Sequence, residues 1–228
     1  MILKYGILMK ISKIFESNSY AWSSCIIFDE NNFNIFCSGY DDYIKLFNSK
    51  GEFNKNIGNK INTHRFYIDS SEIDEKKYLL VGGGKGIEVF NYPELTEYYT
   101  FKEGNDSNYH FEAKIIKINN TYNLIDTGRF NCIKIWNFIN KNLITKITSN
   151  NTKYLGGFTI INNRYLFIGS EDKNIKLFDI EKKIMIKDIN KHSDIVVGIK
   201  PVKDKNGNIF IVSYGYYSDK NIYLWGFN

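Results

Sequence analysis

Only two prolines, Pro93 and Pro201, interrupt the 228 residues, so most turns must be made by Gly, Asn and Asp. Arginine is nearly as scarce: Arg65, Arg129 and Arg164 stand against 27 lysines. Few flat bidentate forks are on hand for bases or phosphates, which disfavours a nucleic-acid role despite a net charge of +5. The three cysteines, Cys25, Cys37 and Cys132, are odd in number and widely spaced. They fit neither a disulfide framework nor a metal-ligand set, and read as small core residues of an intracellular protein, cytoplasmic or nuclear. Long apolar runs are missing too. The opening "MILKYGILMKISKIF" is broken by Lys4, Lys10 and Lys13 and ends in no small-residue cleavage site. Neither a signal peptide nor membrane insertion is expected. No segment sustains a helical apolar stripe over three turns, so almost no helix is expected.

What is present is globular: 43% apolar and 16% aromatic residues. The abundance of Asn, Ile, Lys, Phe and Tyr reads as coding bias, not chemistry. The chain repeats itself. "GSEDKNIKLFD" at 169–179 has looser copies at 38–48, 81–91, 126–137 and 213–225. Each ends on an aromatic, and Phe47, Phe90, Trp136, Phe178 and Trp225 are 43, 46, 42 and 47 residues apart. That period is long for leucine-rich or ankyrin units and fits a four-stranded blade. "YLLVG", "IKLF", "YLFIG" and "IFIVS" read as its strands.

These copies resemble WD repeats, and the resemblance covers essentially the whole chain, although each copy is degraded. Only the fourth keeps Asp after its closing aromatic, Asp179, and no Gly-His pair survives. The resemblance implies an all-β propeller of four-stranded antiparallel blades, with residues 1–228 as one domain. The fifth copy stops after three strands, and Ile7–Phe15 falls at the fourth-strand position of that blade. Five blades closed by pairing the N-terminal strand with the C-terminal repeat are therefore expected, since an open edge invites aggregation. The alternative is part of a larger propeller, because Tyr5 lies 42 residues before Phe47, where a third strand would end.

The family pairs a blade-starting His with a turn Asp. His64, His110 and His192 are expected at the His position, and Asp41, Asp172 and Asp219 at the Asp position. Only the fifth copy combines His192, Asp219 and Trp225, with Ser213 as a fourth member. These residues, with Asp172 and Asp41, are read as structural. A His–Asp–Ser set resembles a hydrolase triad, but no nucleophile elbow accompanies it. One His per blade also argues against a metal site. "VGGGKG" (81–86) matches neither phosphate-binding glycine motif and reads as a hairpin. "EIDEKK" (72–77) and "KDKNGN" (203–208) read as charged rim loops. No catalytic residue and no cofactor is expected.

What remains is a non-enzymatic scaffold for protein–protein interaction, a subunit of a larger assembly. The alternatives are a carbohydrate-binding five-bladed propeller and an RNA-associated subunit. In the family the usual contact surface surrounds the central opening. Three residues beyond each His position lie Trp22, Tyr67, Ala113, Tyr154 and Ile195, with Tyr40, Arg129, Glu171 and Ser218 on adjoining turns. Aromatic and Arg residues dominate binding hot spots, so Trp22, Tyr67, Tyr154, Ile195, Tyr40, Arg129 and Glu171 form the expected partner-binding set.

Overall fold

A computed structural model describes residues 21–29, 32–39, 43–60, 64–104, 108–149 and 154–226. Among these there is no helix, and the strands form five antiparallel sheets that follow one another along the chain. The first blade comprises β1 (Ala21–Asp29), β2 (Asn32–Gly39), β3 (Ile44–Phe47) and β4 (Phe53–Ile57). The second has β5 (Arg65–Ile73), β6 (Lys76–Gly83), β7 (Gly86–Tyr92) and β8 (Glu97–Phe101). The third has β9 (His110–Ile118), β10 (Thr121–Gly128), β11 (Cys132–Asn137) and β12 (Asn142–Thr148). The fourth has β13 (Leu155–Ile161), β14 (Tyr165–Ser170), β15 (Asn174–Asp179) and β16 (Ile184–Asn190). The fifth has β17 (Val196–Lys203), β18 (Ile209–Gly215) and β19 (Ile222–Trp225). The protein is a five-bladed β-propeller, as its period implies.

Among the described residues β19 has no partner on its outer side. The segment expected there, Ile7–Phe15, lies outside the described residues, as do Tyr40 and Asp41.

The core sits between blades, not within them. Phe36, Ile68 and Phe90 join the first blade to the second, Leu80, Phe101 and Trp136 the second to the third, and Ile125, Phe158 and Phe178 the third to the fourth. Val196, Ile199 and Phe167 join the fourth to the fifth. Each fully buried Phe or Ile contributes about 1.5–3 kcal/mol of transfer free energy, so the sheets hold one another by stacking. Backbones meet closely at these seams. A Cβ on Gly169 would stand 2.2 Å from the carbonyl oxygen of Val196, and one on Gly82 2.8 Å from that of His110.

Two local features depart from the sequence reading. The hairpins joining the first and second strands of the middle three blades turn on two residues with positive φ: Asp74–Glu75, Asn119–Asn120 and Asn162–Asn163. Such two-residue turns match the strand twist and favour Asn, so part of the Asn excess is turn chemistry after all. "EIDEKK" is consequently strand ends around a two-residue turn, with Ile73 paired to Lys76, and not a loop. "VGGGKG" does make the expected hairpin, Gly83 pairing with Gly86.

Candidate functional site

Polar side chains tie the inner strands to the rest of their blades. In the fifth, Trp225 Nε1–H donates to Ser213 Oγ (2.8 Å), and Ser213 Oγ lies 2.8 Å from His192 Nε2. His192 Nδ1 meets Asp219 Oδ2 at 2.5 Å. Because Ser213 Oγ already accepts from Trp225, its own proton goes to Nε2, and Nδ1–H then faces the carboxylate. The four residues expected from the sequence thus form one chain of hydrogen bonds. Ser213 is fully buried beneath Trp225, so no substrate carbonyl can reach it as a hydrolase triad would require. Burial alone would raise the Asp219 carboxyl, but the Asn221 N–H, His192 and Ser193 N–H outweigh it and hold the group at about 2.

Replacing His192 by Ala is expected to destabilise the fold by about 1–3 kcal/mol, the cost of leaving buried Asp219 and Ser213 without their partner, measured by urea melting. Because the Asp219 pKa is depressed in the folded state, its contribution is present above the unfolded value of 3.8 and is lost as pH falls toward about 2. Asp219→Asn is therefore expected to destabilise at neutral pH, and the gap from wild type should close on acidification through that window. A gap independent of pH would contradict this.

The histidines are not equivalent, contrary to the count from the closing aromatics. His192 lies in the loop before β17, whereas His110 is the first residue of β9 and pairs with Gly128. His110 Nδ1 instead meets Asp126 at 2.9 Å, and its ring sits 5.1 Å from Phe130, which occupies the turn position where the family has Asp. In the second blade Arg65 opens the inner strand and forks onto Glu88. Asp172 has a structural role of another kind: it pairs with Lys176 Nζ at 2.7 Å and accepts the Asn174 N–H. No group of three metal-ligating side chains occurs among the described residues.

The recurrent feature with a functional look is a β-bulge. In β1, β5, β9 and β17 pairing skips the second residue: Trp22, Phe66, Phe111 and Val197. In β13 it skips Gly156 and Gly157 opposite Gly169. A bulge leaves the extra residue out of the ladder and re-aims its side chain. Here the side chains turn into a single cavity of about 470 Å³, joined by Tyr109, Tyr154 and Ile195, the residues immediately preceding three inner strands. Arg129 and Tyr216 reach it from turns, and Glu112 lines it from β9. All five blades contribute, so the cavity marks the central axis. Trp22–Phe66 (5.4 Å), Phe66–Phe111 (5.8 Å) and Phe111–Tyr154 (4.8 Å) make a continuous aromatic belt.

Of the expected partner-binding set, Trp22, Tyr154, Ile195 and Arg129 are brought together here. Tyr67 is not: its hydroxyl donates toward Asp69 Oδ2 and the Ala113 carbonyl, both 2.9 Å away, between the second and third blades. Burial, with Glu112 and Asp69 nearby, pushes its pKa well up. Glu171 stays on its turn, where its N–H reaches the Tyr154 carbonyl, and does not line the cavity. Phe66, Phe111, Tyr109 and Tyr216 were missed. Phe66 and Phe111 are the residues that the bulges leave out of the ladder, one place before Tyr67 and two places before Ala113. Tyr216 comes from the last turn, which has seven residues between Tyr214 and Ile222 where the fourth blade has five between Gly169 and Ile175.

No family model matches the chain, and no curated protein matches it in sequence. Solved structures match it in shape. The structure of U3-55K superposes with a TM-score of 0.75 at 16% identity, over 93% of this chain and 63% of that one. The RRP9 WD40 repeats give 0.75 at 16% identity, over 93% and 62%. A chain of the mitotic checkpoint complex gives 0.69 at 14% identity, over 97% and 71%. The chain therefore spans less than two thirds of the first two. What it shares with them is architecture: it has the fold of a WD-repeat β-propeller, with five blades.

Proposed function

We propose that this protein is a non-enzymatic scaffold that docks a protein partner over the central opening, within a larger assembly. One observation carries the reading: bulges at the start of the inner strands deliver aromatic side chains from the first three blades, Trp22, Phe66 and Phe111, to one mouth. Trp22 is 53% exposed there, so little of the fold's stability is expected to depend on it. Exposed aromatics around a concavity are the commonest anchors of protein interfaces. The fold neighbours support the reading, one being a chain of the mitotic checkpoint complex. The three cysteines are free thiols, and burial lifts Cys25 to about 12 and Cys37 to about 11, as for small core residues. No helix among the described residues is long and apolar enough to cross a membrane.

The aromatic belt also favours a second reading, a carbohydrate site, because sugar faces stack on such rings. Capture from the native cell with the wild type and with Trp22→Ala separates the two. A protein retained by the first and lost by the second supports the scaffold. Glycan binding to the purified protein, quenching Trp22 fluorescence with no protein retained, supports the sugar site.

A further inference from the structure

The floor of the aromatic mouth holds a carboxylate in an unusual state. Glu112 is 5% exposed. Its Oε2 accepts the Phe158 N–H at 2.8 Å, but its Oε1 has no hydrogen bond. Among the described residues the nearest cation is Lys200 Nζ at 3.8 Å, beyond hydrogen-bond reach and on a side chain 62% exposed. Burial pushes the Glu112 carboxyl up, with Lys200 and the Phe158 N–H opposing. A buried acceptor left without a donor is costly, and a carboxylate among aromatic faces attracts a cation from two sides at once: by its own charge and by the ring quadrupoles. The rim has the opposite sign, for Arg129 is exposed and lines the same cavity.

Resting on the scaffold reading above, we infer that the opening recognises a partner segment that inserts one basic side chain, Lys or Arg, between the rings of Trp22, Phe66, Phe111 and Tyr154, its N–H donating to Glu112 Oε1, with a neighbouring acidic residue meeting Arg129. The unfilled oxygen is an acceptor, which selects a cation bearing N–H over a quaternary ammonium. An uncharged chain of equal length fills the same apolar space but leaves Oε1 as it is. Selectivity between the two therefore measures the carboxylate.

The test uses acetylated heptapeptides with an Asp beside a central Lys, Arg or norleucine, titrated against the full chain and followed by Trp fluorescence. Wild type is expected to prefer Lys or Arg over norleucine by roughly tenfold or more, the worth of a hydrogen bond to a charged group. Glu112→Gln keeps an oxygen for the Phe158 N–H, and its melting point checks that it folds. This variant is expected to lose most of that preference. Equal binding of norleucine by the wild type, a preference that survives Glu112→Gln, or no binding of any peptide overturns the inference. The scaffold reading fails separately, on the captured partner: if Trp22→Ala still retains it, the face is wrong, and if only Trp22→Ala loses it while Glu112→Gln does not, the face stands and the basic anchor falls.

Discussion

Replacing Glu88 by Ala is expected to destabilise the protein by about 3–5 kcal/mol, the range seen when one member of a buried ion pair is removed. Arg65 is 0% exposed. Its Nε donates to Glu88 Oε2 at 2.8 Å and its Nη2 to Oε1 at 3.1 Å, with a further bond to the Asn59 carbonyl at 3.2 Å. Without Glu88 the guanidinium loses both carboxylate contacts in a buried seam beside Phe90. A domain of ordinary stability, about 5–15 kcal/mol, would lose a large part of its margin. Urea melting of the single variant and of Arg65→Met/Glu88→Leu makes the check. The apolar pair is expected to recover most of the loss, because it removes both charges and keeps the volume. A single variant within about 1 kcal/mol of wild type would show that water reaches the pair, the behaviour of a surface bridge.

Truncating Trp22 to Ala is expected to cost about 2 kcal/mol or more of partner binding, roughly thirtyfold, while moving the melting point little. Trp22 is held outside the ladder by its bulge and touches the Phe66 ring edge-on, so little of the core depends on it. Tyr67→Ala should behave in the opposite way, since its ring packs against the seam between the second and third blades and its hydroxyl bridges Asp69 to Ala113. Lys76→Ala, at the exposed start of β6, serves as the control and should change neither quantity. Affinity and melting measured on all three decide the matter. If Trp22→Ala binds like Lys76→Ala, the opening is not the site, and the blade sides or the opposite face become the surface to search.

The sequence by itself determined the repeat and the strand-rich composition, and its resemblance to WD repeats implied the hydrogen-bonded set in the fifth blade. These are local or periodic properties. The spacing of Phe47, Phe90, Trp136, Phe178 and Trp225 counts residues per blade, and His192, Ser213, Asp219 and Trp225 sit within one such unit. Alternation along "IKLF" and "YLFIG" needs only the two-residue pleat to be read.

Tertiary structure decided what depends on register and on stacking. Alternation assumes an unbroken ladder, and one extra residue near the start of each inner strand moves every later side chain to the other face. The bulge residues Phe66 and Phe111 reach the opening, while Tyr67 and Ala113, back in the ladder, turn away. Counting back from the closing aromatics likewise assumes hairpins of constant length. The last blade's longer hairpin and turn separate His192 from the position of His110. Arg65 and Glu88 lie 23 residues apart and read singly as charges on strands. Only the sheet brings them within reach, and only the neighbouring blade removes the water between them. The buried Glu112 is a charge in a strand by sequence, and becomes the floor of a cavity because five separate blades meet around it.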